Sequence, residues 1–206
     1  MTADSVLQNS IEALAVDGVV IGHRIISAGD ELALLPEEQG AFATSVEKVR
    51  RQSGAARIVA RQLMAQMGQP PHDILKGLSG APIWPDGLTG SLAHTAHIAV
   101  AALARRTDFS SIGVDVEPAE PLEPELLDLV ATASEQQAIA NDPLGGRLLF
   151  TIKEAVYKAV NPLDGVFLEH HDVEVNLAAG TAAVRGGRLV RFRHVSAGHI
   201  VVLAII

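Results

Sequence analysis

Residues 144–160 read LGGRLLFTIKEAVYKAV, a run of mostly helix-forming residues that ends at Asn161-Pro162. The run predicts a long helix closed by the Asn-Pro pair, because proline has no N–H to continue the ladder. Beyond it, residues 166–177, 181–184, 188–195 and 199–205 carry strand-like runs separated by Gly180, Gly186, Gly187 and Gly198. That pattern predicts antiparallel strands joined by glycine turns.

The same order occurs earlier in the chain. GVVIGHRII at 18–26 predicts a strand. Pro36 with Glu37 and Glu38 suits a helix start, and Phe42, Val46, Val49, Ile58, Leu63 and Met67 keep mostly helical spacing until Gly68 and Pro70. Gly54 is expected to split or bend this block. Residues 70–90, with PP and WPDG, predict a long loop of the kind that is often functional. Strand-like runs follow at 90–95, 97–103 and 111–117, and the acidic, proline-broken segment 113–142 predicts a turn leading into short helices. Helix then strands thus occurs twice. The expected fold is α+β, with two similar halves at 1–110 and 111–206. Each would be a long helix packed on a small antiparallel sheet, the two pseudo-twofold related, with a site at their junction.

Composition narrows the functions. The chain has 206 residues, 48% apolar and 19% charged, enough apolar content to bury a core. Its formal charge of −8 argues against nucleic acid as a partner. With no cysteine there is no disulfide, thiolate metal site or cysteine nucleophile, and a reducing cytoplasm is the natural setting. The opening MTADSVLQNSIEALAVDG carries acids before any apolar run, unlike a secretory signal. The most apolar stretches, 98–104 and 200–206, fall short of the ~18 residues a membrane-spanning helix requires, so no membrane partner is expected.

Three clusters carry chemistry. In SSIGVDVEP, alternation puts Asp115 and Glu117 on one face of a strand, either as the acidic face of an edge strand or as two ligands of a divalent cation. Oxygen-only ligands favour Mg²⁺ or Mn²⁺ over Zn²⁺. In FTIKEAVYKA, Glu154 and Lys158 share a helix face, either as a surface ion pair or as a third carboxylate with a phosphate-binding lysine, Lys153 assisting. Between Val46 and Gly77, six cations face two acids, and Arg57 and Arg61, one turn apart, form either a solvated face or an anion clamp. His94 stands near a strand end. His97, His170, His171, His194 and His199 show no metal-ligand spacing and receive no role. There is no GxxxxGK phosphate loop, no GxGxxG and no GxSxG elbow.

In order, RRQSGAARIVAR at 50–61, GLSGAPIWPDGLTGSLAHT at 77–95, GVDVEP at 113–118 and FTIKEAVYKA at 150–159 resemble the Sfp-type 4′-phosphopantetheinyl transferases, most like the enterobactin-synthase-component-D branch. The resemblance covers most of the chain. It implies the phosphopantetheinyl transferase fold and Mg²⁺-dependent transfer of the 4′-phosphopantetheine arm of coenzyme A to a serine of an apo acyl or peptidyl carrier protein, releasing adenosine 3′,5′-bisphosphate. It further implies Asp115, Glu117 and Glu154 as metal ligands and Lys158, with Lys153, on the pyrophosphate. Glu154 is the first candidate base, with Glu117 or a metal-bound hydroxide as rivals. Arg57, Lys76 and His94 would bind the nucleotide end of coenzyme A, with Lys48 or Arg50 as an addition and Ser91 and Leu92 lining the pocket. The 1–110 half then becomes the coenzyme A side and the 111–206 half the metal side of a monomeric enzyme of siderophore or secondary-metabolite synthesis. Phe150-Thr151 replaces the Trp-Ser frequent in that family, and Gln52-Ser53 replaces an acid and an aromatic. A Mg²⁺-dependent pyrophosphate or phosphodiester hydrolase and a non-catalytic coenzyme A-binding module are the alternatives.

Overall fold

The computed structural model describes residues 3–77 and 79–206, without the side chains of residues 3–5. Met1, Thr2 and Leu78, the last within the 77–95 motif, lie outside the described residues. In chain order the elements are α1 (Ala3–Ala13), β1 (Val19–Ile25), α2 (Pro36–Gln39), α3 (Glu47–Gln66), β2 (Leu75–Lys76), β3 (Pro82–Ile83), β4 (Leu88–His94), β5 (Ile98–Arg105) and β6 (Ile112–Pro118). They continue with α4 (Pro124–Val130), α5 (Ala133–Ala138), α6 (Gly145–Asp164), β7 (Val173–Asn176), β8 (Thr181–Val184), β9 (Leu189–Ala197) and β10 (His199–Ile205). A three-stranded antiparallel sheet runs β1-β5-β4, a five-stranded one runs β6-β10-β9-β8-β7, and β2 and β3 form a small hairpin. The fold is α+β, with one long helix on each main sheet.

Burial explains the strand patterns. β5 reads IAVAALAR with no alternation because both of its faces are covered. Ala99, Ala101 and Leu103 pack under α3, while Val100, Ala102 and Ala104 enter a core shared with β6 and β10. β6 does alternate: Val114 and Val116 enter that shared core, and the opposite face, with Gly113, Asp115 and Glu117, lies under α6. The two sheets therefore meet face to face, with α3 and α6 on the outer sides.

Several local expectations are corrected. The N-terminal helix α1 was not foreseen; Leu7, Ile11 and Leu14 close one end of the shared core. Pro36 starts only the single turn of α2, and the long helix begins at Glu47. Gly54 does not split α3: a Cβ there would stand 1.9 Å from the Asp30 carbonyl oxygen, so the glycine serves a close crossing. α6 passes through Asn161-Pro162 to Asp164 and is closed by Gly165 at φ 66. A proline one turn from the end removes a single N–H, which the helix tolerates. The strand expected over 166–177 shrinks to β7, because a 3-10 turn at His170–Asp172, fastened by Glu169 N–H donating to Asp172, occupies its first part. Among the described residues no helix is long and apolar enough to cross a membrane.

The contact that sets the site is α6 on β6. A Cβ on Gly113 would lie 2.0 Å from the Ala155 carbonyl oxygen and 2.7 Å from the Ala159 nitrogen, both rigid backbone. Gly113→Ala must push the helix off the strand, and overpacking of this kind costs about 1–3 kcal/mol or more. Calorimetry should show Tm lowered by at least about 2–4 °C; an unchanged Tm would mean the helix is free to shift.

Candidate active site

Elements from the two sheet-and-helix layers line a cavity of about 260 Å³. Gly90, Ser91 and Leu92 of β4 form one wall, Tyr157, Lys158 and Asn161 of α6 the other, and Lys76 with residues 79–82 completes it. A second cavity of about 180 Å³ shares Lys76, Gly80, Pro82 and Leu92 and extends to Phe42, Arg57 and His94. The Arg57 guanidinium stands 4.9 Å and the Lys76 ammonium 5.9 Å from the centroid of the Phe42 ring, whose negative face attracts both.

The carboxylates lie beside the first cavity. Asp115, 6% exposed, accepts a 2.6 Å hydrogen bond on Oδ1 from Lys158 Nζ. Its Oδ2 is buried with no hydrogen-bond partner. Burial drives the Asp115 carboxyl above its usual range, Lys158 opposes this, and the Glu154 charge adds to it. Glu117 is likewise raised, first by burial and then by Asp115, while Arg147 at 3.5 Å pulls the other way. Glu154 is lowered: the contact of its Oε1 with His170 Nε2 at 3.2 Å is the main cause, burial opposes it, and Lys158 reinforces it.

Each of the three acids thus has its own cationic or donor partner, and the side chains do not converge on one point. Among the described residues no group of three or more His, Cys, Asp or Glu is arranged to hold a metal ion. The residues nonetheless fit a hard divalent cation. Asp115 offers an orphaned buried oxygen, Asp115 and Glu117 are raised first by burial and further by neighbouring negative charge, and the donor set is all oxygen.

The basic residues divide. Ser91 is buried on β4 and lines the first cavity, which Lys76 and Lys158 also line. His94 lines the second, its imidazole held below the usual range by burial and then by Lys158. Arg57 borders the same cavity, but its guanidinium is buried and donates to the Ile74 carbonyl at 3.0 and 2.8 Å. Arg61 donates to Glu38 at 3.0 Å, and Arg57 stands 3.5 Å from the same oxygen, so the anion clamped by this pair belongs to the chain itself. Lys48 is exposed and lines neither cavity, and Arg50, also outside both, donates to the Ser45 carbonyl at 2.9 Å. Lys153 is 1% exposed and donates to the Val130 carbonyl and to Glu135, each at 2.8 Å. It does not reach the cavity, because five residues along a helix put it about 140° around the axis from Lys158.

Four neighbours of the site escaped the sequence reading. Tyr157 and Asn161 follow Glu154 and Lys158 by three residues on the same α6 face, a spacing that could have found them. Phe42 and His170 arrive from distant turns and gave no local signal. Behind Tyr157 opens a groove of about 570 Å³ lined by Glu154, His170, Leu129 and Phe167, the last two 64% and 72% exposed.

Comparison with known proteins gives two family matches. The 4′-phosphopantetheinyl transferase N-terminal domain matches residues 37–104, and the 4′-phosphopantetheinyl transferase superfamily matches residues 111–203. The chain is 37% identical to 4′-phosphopantetheinyl transferase Svp of Streptomyces mobaraensis over 85% of this chain and 75% of that one. It is 40% identical to 4′-phosphopantetheinyl transferase Npt of Nocardia iowensis over 71% of this chain and 67% of that one. Likeness to enterobactin synthase component D of Salmonella typhimurium is 38%, over 38% of this chain and 34% of that one, so it is more local than the likeness to Svp and Npt.

The Lys153–Glu135 pair makes a prediction separate from catalysis. Removing one member of a buried pair strands the other charge, at a cost of about 3–5 kcal/mol, so Lys153→Ala should lower Tm sharply. Burial alone would raise the Glu135 carboxyl, but hydrogen bonds from Lys153, Thr132 and Val175 outweigh it and hold it below the usual range. Its stabilisation is therefore present above the unfolded value, about 4.3, and is lost as pH falls through the lower folded value. Denaturant titrations should show the stability gap between wild type and Glu135→Gln narrowing on that acid limb; a gap independent of pH refutes the assignment.

Proposed function

This chain belongs to the 4′-phosphopantetheinyl transferase superfamily, and from that premise we propose that it transfers the 4′-phosphopantetheine arm of coenzyme A to a serine of an apo carrier protein. Mg²⁺ or Mn²⁺ would be the cofactor and adenosine 3′,5′-bisphosphate the second product. The observation that carries this reading is Asp115: a buried carboxylate, ion-paired to Lys158 at the wall of a cavity made by both halves, with its other oxygen unpartnered.

Asp115, Glu117 and Glu154 would hold the ion, which when bound supplies positive charge to the pyrophosphate and to the leaving bisphosphate. Lys158 reaches from Asp115 to the cavity, where its ammonium suits a pyrophosphate oxygen. Lys76, exposed beside the second cavity, suits the 3′-phosphate, with Arg57 and His94 alongside. Arg57 acts there mainly as a fixed positive charge, since its donors are engaged by the chain itself. Ser91 and Leu92 line the path between the two cavities.

The bond that forms joins the carrier serine oxygen to the β-phosphorus of coenzyme A, and the bond that breaks frees the bisphosphate. The serine proton passes to Glu154, which lines the open groove and is kept ionised by its contact with His170. Such chemistry is mostly positioning and electrostatics, so the chain needs no nucleophile of its own. Its charge of −8 gives an acidic carrier no long-range attraction. Docking would be local and apolar, on exposed Leu126 and Leu129 of α4 and on Phe167 beside Glu154. One chain supplies both walls of the cavity, which suits a monomer, and the lack of cysteine suits action in the cytoplasm. The likeness to component D favours a carrier of siderophore or other secondary-metabolite synthesis.

Incubation with coenzyme A, Mg²⁺ and a panel of apo carriers, read by intact mass, tests the reading. The carrier should gain the phosphopantetheine mass, and Asp115→Ala or Glu154→Ala should slow that gain by about 10²–10³-fold or more while the protein stays folded. Release of free phosphopantetheine with no carrier adduct would identify a hydrolase instead. Steady-state kinetics with two substrates tests the nucleotide end: Lys76→Ala should raise KM for coenzyme A more than for 3′-dephospho-coenzyme A, and equal increases would remove Lys76 from the 3′-phosphate.

A further inference from the structure

We infer that His170 is a positioning residue for Glu154, holding one carboxylate oxygen so that the other stays directed to the cation; the inference rests on Glu154 being a cation ligand. His170 Nε2 lies 3.2 Å from Glu154 Oε1 although sixteen residues separate them. The chain reverses at Gly165, which closes α6, and brings the turn at His170–Asp172 back alongside the helix. Because the partner is an ionised carboxylate, Nε2 carries the hydrogen and donates. Only Oε1 is engaged by this contact, which leaves Oε2 for an ion.

The imidazole rests on one ring, and the turn that carries it is fastened to its surroundings. Its ring packs in a tilted contact, 5.4 Å between centroids, on Phe150, one turn before Glu154 on α6. Within the turn, Glu169 N–H donates to Asp172 at 3.1 Å, and Asp172 pairs with Arg185 at 2.9 Å. The next residue, His171, is fixed by a 3.0 Å contact between its Nε2 and the Asp128 carbonyl. A donor held this way selects one orientation from the many rotamers of a free glutamate.

Energetic weight also points to positioning. His170 and Glu154 are each about one-third exposed, 30% and 32%, so their pairing adds little to global stability. Hydrogen-bond partners of metal ligands, in contrast, commonly change metal affinity by about 10–100-fold when removed. The two roles separate experimentally.

The test is Mn²⁺ titration of the full chain without coenzyme A, followed by electron paramagnetic resonance, with Tm measured on every variant. His170→Phe keeps a ring against Phe150 but has no donor, and His170→Gln keeps a donor without the ring. The expected result is Mn²⁺ affinity weakened about 10–100-fold in His170→Phe at nearly unchanged Tm, and partly restored in His170→Gln. Equal affinity in wild type and His170→Phe, with binding lost in Asp115→Ala, overturns the role of His170 and leaves the cation site standing. No Mn²⁺ binding by the wild type overturns both.

Discussion

The seating of α6 directly on β6 governs the arrangement of the site. Gly113 lets the helix backbone come so close that the next outward-facing residue of the strand, Asp115, is covered by the helix and meets Lys158. A carboxylate driven under a helix loses water and must find a partner. Lys158 supplies one for Oδ1, and nothing in the described residues supplies one for Oδ2. The same contact makes the first cavity, because the α6 face that bears Lys158 also bears Tyr157 and Asn161, opposite β4.

The rest of each half holds its long helix in that relation to the sheets. In the first half, Glu38 is fully buried and accepts from Leu35 N–H, Ile74 N–H and Arg61, tying α2, α3 and the loop that leads to Lys76 to one carboxylate. In the second, Glu135 accepts from Lys153, Thr132 N–H and Val175 N–H, tying α5, α6 and β7 together. The devices are alike: a glutamate from a short preceding helix is gripped by a cation of the long helix, by a backbone N–H at its own helix start and by a backbone N–H of a later segment. Much of the basic character of 46–77 is spent on this internal work, and Lys76, held near the Phe42 ring, is the cation of that stretch that stays exposed beside the cavities.

What the sequence revealed follows from which interactions are local. Alternation in 110–118 put Asp115 and Glu117 on one face because strand geometry depends only on neighbouring residues, and i, i+4 spacing put Glu154 and Lys158 together for the same reason. The apolar run at 97–103 announced a strand, and that both of its faces are covered emerges only from the packing of α3 on one side and β6 and β10 on the other. Non-local contacts were hidden. Gly54 looks like a helix breaker until the Asp30 backbone is seen against it, and Lys153 looks like a second phosphate ligand until Glu135 is found eighteen residues earlier. His170 carried no spacing signal, since its contact with Glu154 depends on the reversal at Gly165.

Satisfaction of hydrogen bonds separates carboxylates that build the protein from those proposed to serve chemistry. Glu38 and Glu135 each accept from several donors, and both of their oxygens are used. Asp115 is also buried yet has an oxygen with no partner, and together with Glu117 it is pushed toward protonation by burial and by neighbouring negative charge. A fold that fastens two buried acids so completely has the means to fasten a third. An acid left short of partners, beside a cavity bordered by lysines, lowers stability unless something else supplies positive charge. In the proposed reading a divalent cation would supply that charge, so the local cost in stability and the capacity to bind would have the same origin: the close approach of α6 to β6.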